Sequence, residues 1–141
     1  MNTSLKPTSD KGSRGAVTAL AVVLSVEAAL VLAATALTIV QFAAHGAEFE
    51  ADGFAYIACL VIGFLWVGLA ATGVWLVKRW ARGLAIVWQL IQLVVGIGAM
   101  QGLLAGPLVG AVLLVFGLAG LVLAFTPGVT RALRREPATR A

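Results

Sequence analysis

The chain is 141 residues long, 61% hydrophobic and 11% charged, with a net charge of +4. Soluble domains carry about 25% charged residues, so a soluble fold of this composition lacks the polar surface to meet water. The length suits a single domain, and the lone cysteine, Cys59, excludes an intrachain disulfide or a CxxC motif.

Residues 1–14 are polar, contain Pro7, and read as a disordered cytoplasmic tail. From Ala16 to Ala44 there is one charge, Glu27. A helix needs about 20 apolar residues to cross the hydrocarbon core, so this is a first span, about 16–44. Lys6, Lys11 and Arg14 before it resemble the basic start of a signal peptide. The apolar stretch is nearly twice the roughly 7–15 residues of a signal's core, so it is expected to be retained. A second charge-free run gives a span over about 53–77.

The run from Gly83 to Thr130 also holds no charge. As one helix it would be roughly 70 Å long, more than twice the core, so it must fold back. Gly102 to Pro107 is the break, because proline suits the first turn of a new helix. Spans are expected over about 83–103 and 107–125, with Thr126-Pro127-Gly128 as the stop. The fold class is therefore all-α: a four-transmembrane-helix bundle over residues 15–126, followed by a basic cytoplasmic tail over 127–141. A tail of this charge can touch anionic lipid, and it also serves as a topology signal.

The basic residues set the orientation. Lys6, Lys11 and Arg14 precede span one; Lys78, Arg79 and Arg82 lie between spans two and three; Arg131, Arg134, Arg135 and Arg140 follow span four. All fall on one side, and the positive-inside rule makes it the cytoplasmic side of a bacterial inner membrane, with both termini there. Trp75, Trp80 and Trp88 cluster near that boundary and read as an aromatic belt, while Phe54 and Tyr56 mark the opposite one. Trp66 lies mid-span and reads as packing.

Glu27 is the one ionisable group at membrane depth. Thirteen residues after Arg14, it falls about 20 Å along the helix, near mid-bilayer. A charge there costs at least about 2.5–3.5 kcal/mol, so the neutral carboxyl is the cheaper form. Ala34, Thr38, Gln41 and His45 share its helix face within about 40°, and that face is expected to look inward. On span three, Gln89 and Gln92 share a face with Ala85 and Gly96. Amides both donate and accept, which suits them to interhelical bonding or to a ligand. The depth count pairs Glu27 with Gln92 ahead of Gln89. Two readings of this polar set stay open: a hydrogen-bonded packing device, or a proton- or cation-responsive site.

Small residues recur at close-packing spacing: Ser25, Ala29 and Ala33, then Gly98 with Gly102, and Gly106 with Gly110. The loop holding His45, Glu48, Glu50 and Asp52 matches no metal-ligand spacing and reads as solvated. No nucleophile elbow, HExxH or Walker loop occurs, so no enzyme activity, catalytic residue, metal or cofactor is expected. The basic clusters are interrupted by apolar spans rather than forming one face, which excludes a nucleic-acid footprint. The expected partners are membrane lipid and other membrane subunits or further copies of the chain.

The segment Trp80-Ala-Arg82-Gly-Leu-Ala-Ile-Val-Trp88-Gln89-Leu-Ile-Gln92-Leu, an apolar hairpin, and Thr126-Pro127 before a basic tail resemble small uncharacterised four-span integral membrane proteins of actinobacteria. That likeness implies the architecture and no activity. Glu27 in the first span is also similar to the glutamate of small multidrug resistance transporters, which implies a proton-coupled role. Those proteins carry their tryptophan deep in the third span, whereas Trp88 here lies near its basic end. The reading that follows is an accessory or interaction subunit packing through small-residue helix faces. The alternative is a small proton- or cation-coupled transporter or channel using Glu27 within an oligomer.

Overall fold

Four long apolar helices and one short amphipathic helix make up the protein, and no strand occurs among the described residues. The computed structural model describes residues 8–45, 51–103 and 106–134. Helix α1 spans Thr8–His45, α2 Ala51–Trp75, α3 Ala81–Met100, α4 Pro107–Phe125 and α5 Pro127–Arg134. The first four are each long and apolar enough to cross a membrane. Glu48, Glu50 and the side chains of His45 and Asp52, read above as a solvated loop, lie outside the described residues.

The helices pair as two antiparallel hairpins, α1 with α2 and α3 with α4. Contacts of α2 with α3 and of α1 with α4 close them into a bundle. On α1 the buried residues Val17, Leu20, Ala21, Leu24 and Glu27 recur every three or four positions, as one helical stripe does. The matching stripe on α3 is Ala81, Ala85, Gln89, Gln92, Gly96 and Ala99. On α4 it is Gly110, Gly117, Gly120 and Ala124. Lipid tails are as apolar as leucine, so close backbone packing rather than water exclusion holds such helices together. A Cβ on Gly110 would stand 2.7 Å from the Met100 nitrogen and 2.8 Å from the Gly96 carbonyl oxygen. Only glycine permits that approach.

Helices α2 and α3 end in the same way. After α3, Gly102 takes φ +78°, while the Leu103 N–H donates to Gly98 at 3.1 Å and the Gly102 N–H to Ala99 at 3.1 Å. After α2, Val77 takes φ +52°, with Lys78 N–H donating to Gly73 at 2.8 Å and Val77 N–H to Val74 at 3.0 Å. Each is a Schellman cap, which satisfies the last helical carbonyls through a left-handed residue. These caps stop α2 at Trp75 and α3 at Met100, short of the 77 and 103 expected from apolar character alone. Gly106 precedes Pro107 with φ +92° and has nothing within 4 Å of a Cβ position. Of the pairs read as packing motifs, Gly102 and Gly106 therefore serve the turn, and Gly110 serves the interface.

The two tails depart from the sequence reading. Residues 8–14 are helical and continue α1, and residues 127–134 form α5. Each supplies the other's partner. Ser13 Oγ donates to the Gly128 carbonyl at 3.1 Å, and Val129 and Leu133 of α5 are buried. Arg131 and Arg134 stay exposed on the opposite face of α5. Composition hides this pairing, because a polar segment lacks the apolar area to order itself without a neighbour.

The hydrophobic core is strongly lopsided. Its buried members are Val17, Leu20, Ala21 and Leu24 on α1, Val67, Ala70, Ala71 and Val74 on α2, Ala81 and Ala85 on α3, Ala124 on α4, and Val129 and Leu133 on α5. All belong to the half of the bundle that carries the basic residues.

Candidate functional site

Glu27 is 3% exposed, Gln89 0% and Gln92 7%, and the three side chains meet inside the bundle. Glu27 lies on the inner stripe of α1, one turn beyond Leu24. The α3 stripe aims Gln89 at it, and Gly120 of α4 makes the room: a Cβ there would overlap the Gln89 amide. Gln89 Nε2 donates to Glu27 Oε2 at 3.1 Å and to Oε1 at 3.3 Å. Trp88 Nε1 donates to Glu27 Oε2 at 2.9 Å. Gln92, one turn further along the same buried stripe of α3, stands beside them.

The direct bonds thus come from Gln89 and Trp88, not from Gln92 first. The depth count went astray because it set Arg14 level with Arg82. Helix α1 starts below that level, where its first turns pack on α5. Trp75, the last residue of α2, donates to Ser25 Oγ at 3.1 Å, which marks the true height of that part of α1. Glu27 therefore sits level with Gln89, about 12 Å along α3 from Ala81 and close to the middle of a helix about 30 Å long.

Thr38 and Gln41 do not join this cluster. Thr38 Oγ1 donates to the Ala34 carbonyl of its own helix at 2.8 Å, and Gln41 is exposed. Both lie about 16 Å or more beyond Glu27 along α1. Glu27 occupies the edge of the buried stripe rather than its middle, so the stripe continues outward through Thr35, which is buried and donates to Val31 at 2.7 Å.

Trp88 is the residue that sequence reasoning missed. A tryptophan near a basic turn reads as an interfacial anchor, and its helix position gives no other signal. In the fold its ring packs on Gly63 of α2 while its N–H reaches α1. Trp66 and Trp75 act alike: Trp66 Nε1 donates to the Leu84 carbonyl at 3.2 Å, joining α2 to α3. Three indoles thus tie neighbouring helices together. Cys59 points outward from α2.

Chemically the site is a carboxyl held by neutral N–H donors. Among the described residues, α2 and α4 bring no ionisable side chain to it. Arg82 of α3 turns away, donating from Nε to the Ala124 carbonyl at 3.1 Å with its guanidinium 5.6 Å from the centre of the Phe125 ring. Two acceptors, Gln89 Oε1 and Gln92 Oε1, are buried and receive no hydrogen bond from the described residues. A carboxyl beside such oxygens can hold a proton or a small cation. Comparison with known proteins found no family model, curated protein or solved structure that matches the chain.

Proposed function

We propose that this protein is a small accessory subunit of the bacterial inner membrane, with its basic side in the cytoplasm, that docks to a larger membrane partner. The reading rests on how its surfaces are used. The glycine face of α4 is spent internally against α3, and the polar cluster is spent joining α1 to α3. What remains outward on α1 is a small-residue strip, Ala29, Ala33 and Ala36, flanked by exposed Leu32 and Val40. Small residues on an apolar face let a second helix approach closely. Purification in mild detergent should recover a larger membrane complex in fixed stoichiometry. A29I/A33I should release the subunit without unfolding it, and E27Q should leave assembly intact. Recovery as a lone homo-oligomer sinks this reading. No catalytic residue or cofactor belongs to it.

The two unpartnered amide oxygens beside Glu27 favour a second reading, a proton- or cation-coupled transporter. In that case proteoliposomes show pH-dependent flux that E27Q abolishes.

A further inference from the structure

A cleft of about 240 Å³ opens on the basic side, between the turn that leads into α3 and helix α5. Arg79, Arg82, Thr130 and Arg134 line it, with Ile86 and Leu133. We propose that this cleft binds the phosphate headgroup of an anionic membrane lipid.

Among the described residues its charge is of one sign, since no carboxylate of theirs lines it. Arg82 is held in place there by its Nε bond to the Ala124 carbonyl and by the Phe125 ring, which leaves its terminal nitrogens to donate. Arginine forks match the oxygens of a phosphate, and Thr130 adds a hydroxyl. The cleft is also amphipathic. Ile86 lies one turn into α3, and Leu133 is on the buried face of α5, so apolar walls stand behind the guanidinium rim. Exposed Trp80 and Phe125 flank the same level. A soluble phosphate would gain nothing from those walls, whereas a lipid presents a phosphate and an apolar body in the same order. Basic pockets at helix ends on the positively charged side are where such headgroups bind. The site owes nothing to Glu27 or to the accessory-subunit reading.

The test uses full-length protein in detergent, offered phosphatidylglycerol or phosphatidylcholine of matched chains, with retained lipid counted by native mass spectrometry. Phosphatidylglycerol should be preferred, and R79Q/R134Q should weaken it by about fivefold for each arginine removed. The charge-matched K78Q/R131Q changes residues outside the cleft and should keep the preference. Equal loss in both variants would mean diffuse surface attraction and overturn the site. Displacement of the lipid by millimolar glycerol phosphate would assign the cleft to a soluble ligand and overturn the lipid. Should the double variant fail to fold, R79Q and R134Q singly decide by the same comparison, each expected to lose about fivefold.

Discussion

The basic-side half of the bundle and the outer half are built differently. In the basic half the two hairpins merge: Trp66 reaches Leu84, Trp88 packs on Gly63, and Glu27 joins Trp88 and Gln89. In the outer half each hairpin packs on itself. Gly110 nests against Gly96 and Met100, and Phe42 covers Gly53, while Leu37, Val40, Ile62, Val94 and Leu108 are exposed. A small membrane protein has few residues to spend on packing. This one concentrates them at one end, and the other end offers its apolar faces to lipid or to a partner.

If close backbone packing within a hairpin outweighs everything else, glycine substitutions have the largest effects. Gly110→Leu places a side chain against the backbone of α3, which cannot yield. A loss of about 3 kcal/mol, read as thermal melting in detergent, is expected. Gly106→Ala meets no atom of the described residues within 4 Å, so its cost is only that of φ 92° with ψ 167°, a region essentially reserved to glycine, about 1–3 kcal/mol. Equal effects at the two sites would show that the turn, not the interface, is what the glycines protect.

The joint between hairpins comes next. Glu27→Ala leaves the Trp88 and Gln89 N–H groups without an acceptor in an apolar interior, at a cost of about 1–3 kcal/mol. Glu27→Gln keeps one acceptor oxygen and should cost less than half as much, while Trp88→Phe should cost about 1 kcal/mol. If Glu27→Ala melts like the parent, the carboxyl is not what joins α1 to α3. Gly53→Ala, in the outer half, displaces only the far end of the Phe42 ring, and its cost should stay under about 1 kcal/mol.

The same division explains what could be read from the sequence. The spans and the hairpin break were legible because hydrocarbon thickness limits how long a charge-free helix can run, and Gly102 to Pro107 is the one place where the long run can turn. The polar face of α3 was legible because Ala85, Gln89, Gln92 and Gly96 follow helical spacing. Depth was not, since it depends on where α1 begins relative to α3, and that offset is set by α5 packing on a segment that composition marks as a loose tail. Trp88 was read as a belt residue because its indole has an apolar body and a polar tip, which suits an interface as well as a buried bond. Thr38 and Gln41 share the helix-wheel angle of Glu27, but the wheel ignores distance along the axis, and both lie about 16 Å or more beyond it.

The smallest expected effect lies in the turn beneath the basic half. Val77 holds φ +52°, a region where a β-branched residue pays about 1–2 kcal/mol over glycine. It remains there because its own N–H and that of Lys78 close the α2 cap, and because α2 and α3 must be joined across a short turn that keeps Lys78, Arg79 and Arg82 at the boundary. Val77→Gly removes that strain and gives back about 0.5–1 kcal/mol through the freedom glycine adds to the unfolded chain. The side chain is about half exposed, so little packing is lost. The balance favours glycine by about 0.5–1 kcal/mol, seen as a small rise in melting temperature. A fall instead would mean that Val77 packs in the cleft it lines with Ser13, Arg14 and Trp75. The strain would then be the cost of joining α1 to the turn, and the tightly packed region would extend below α2 as well as above it.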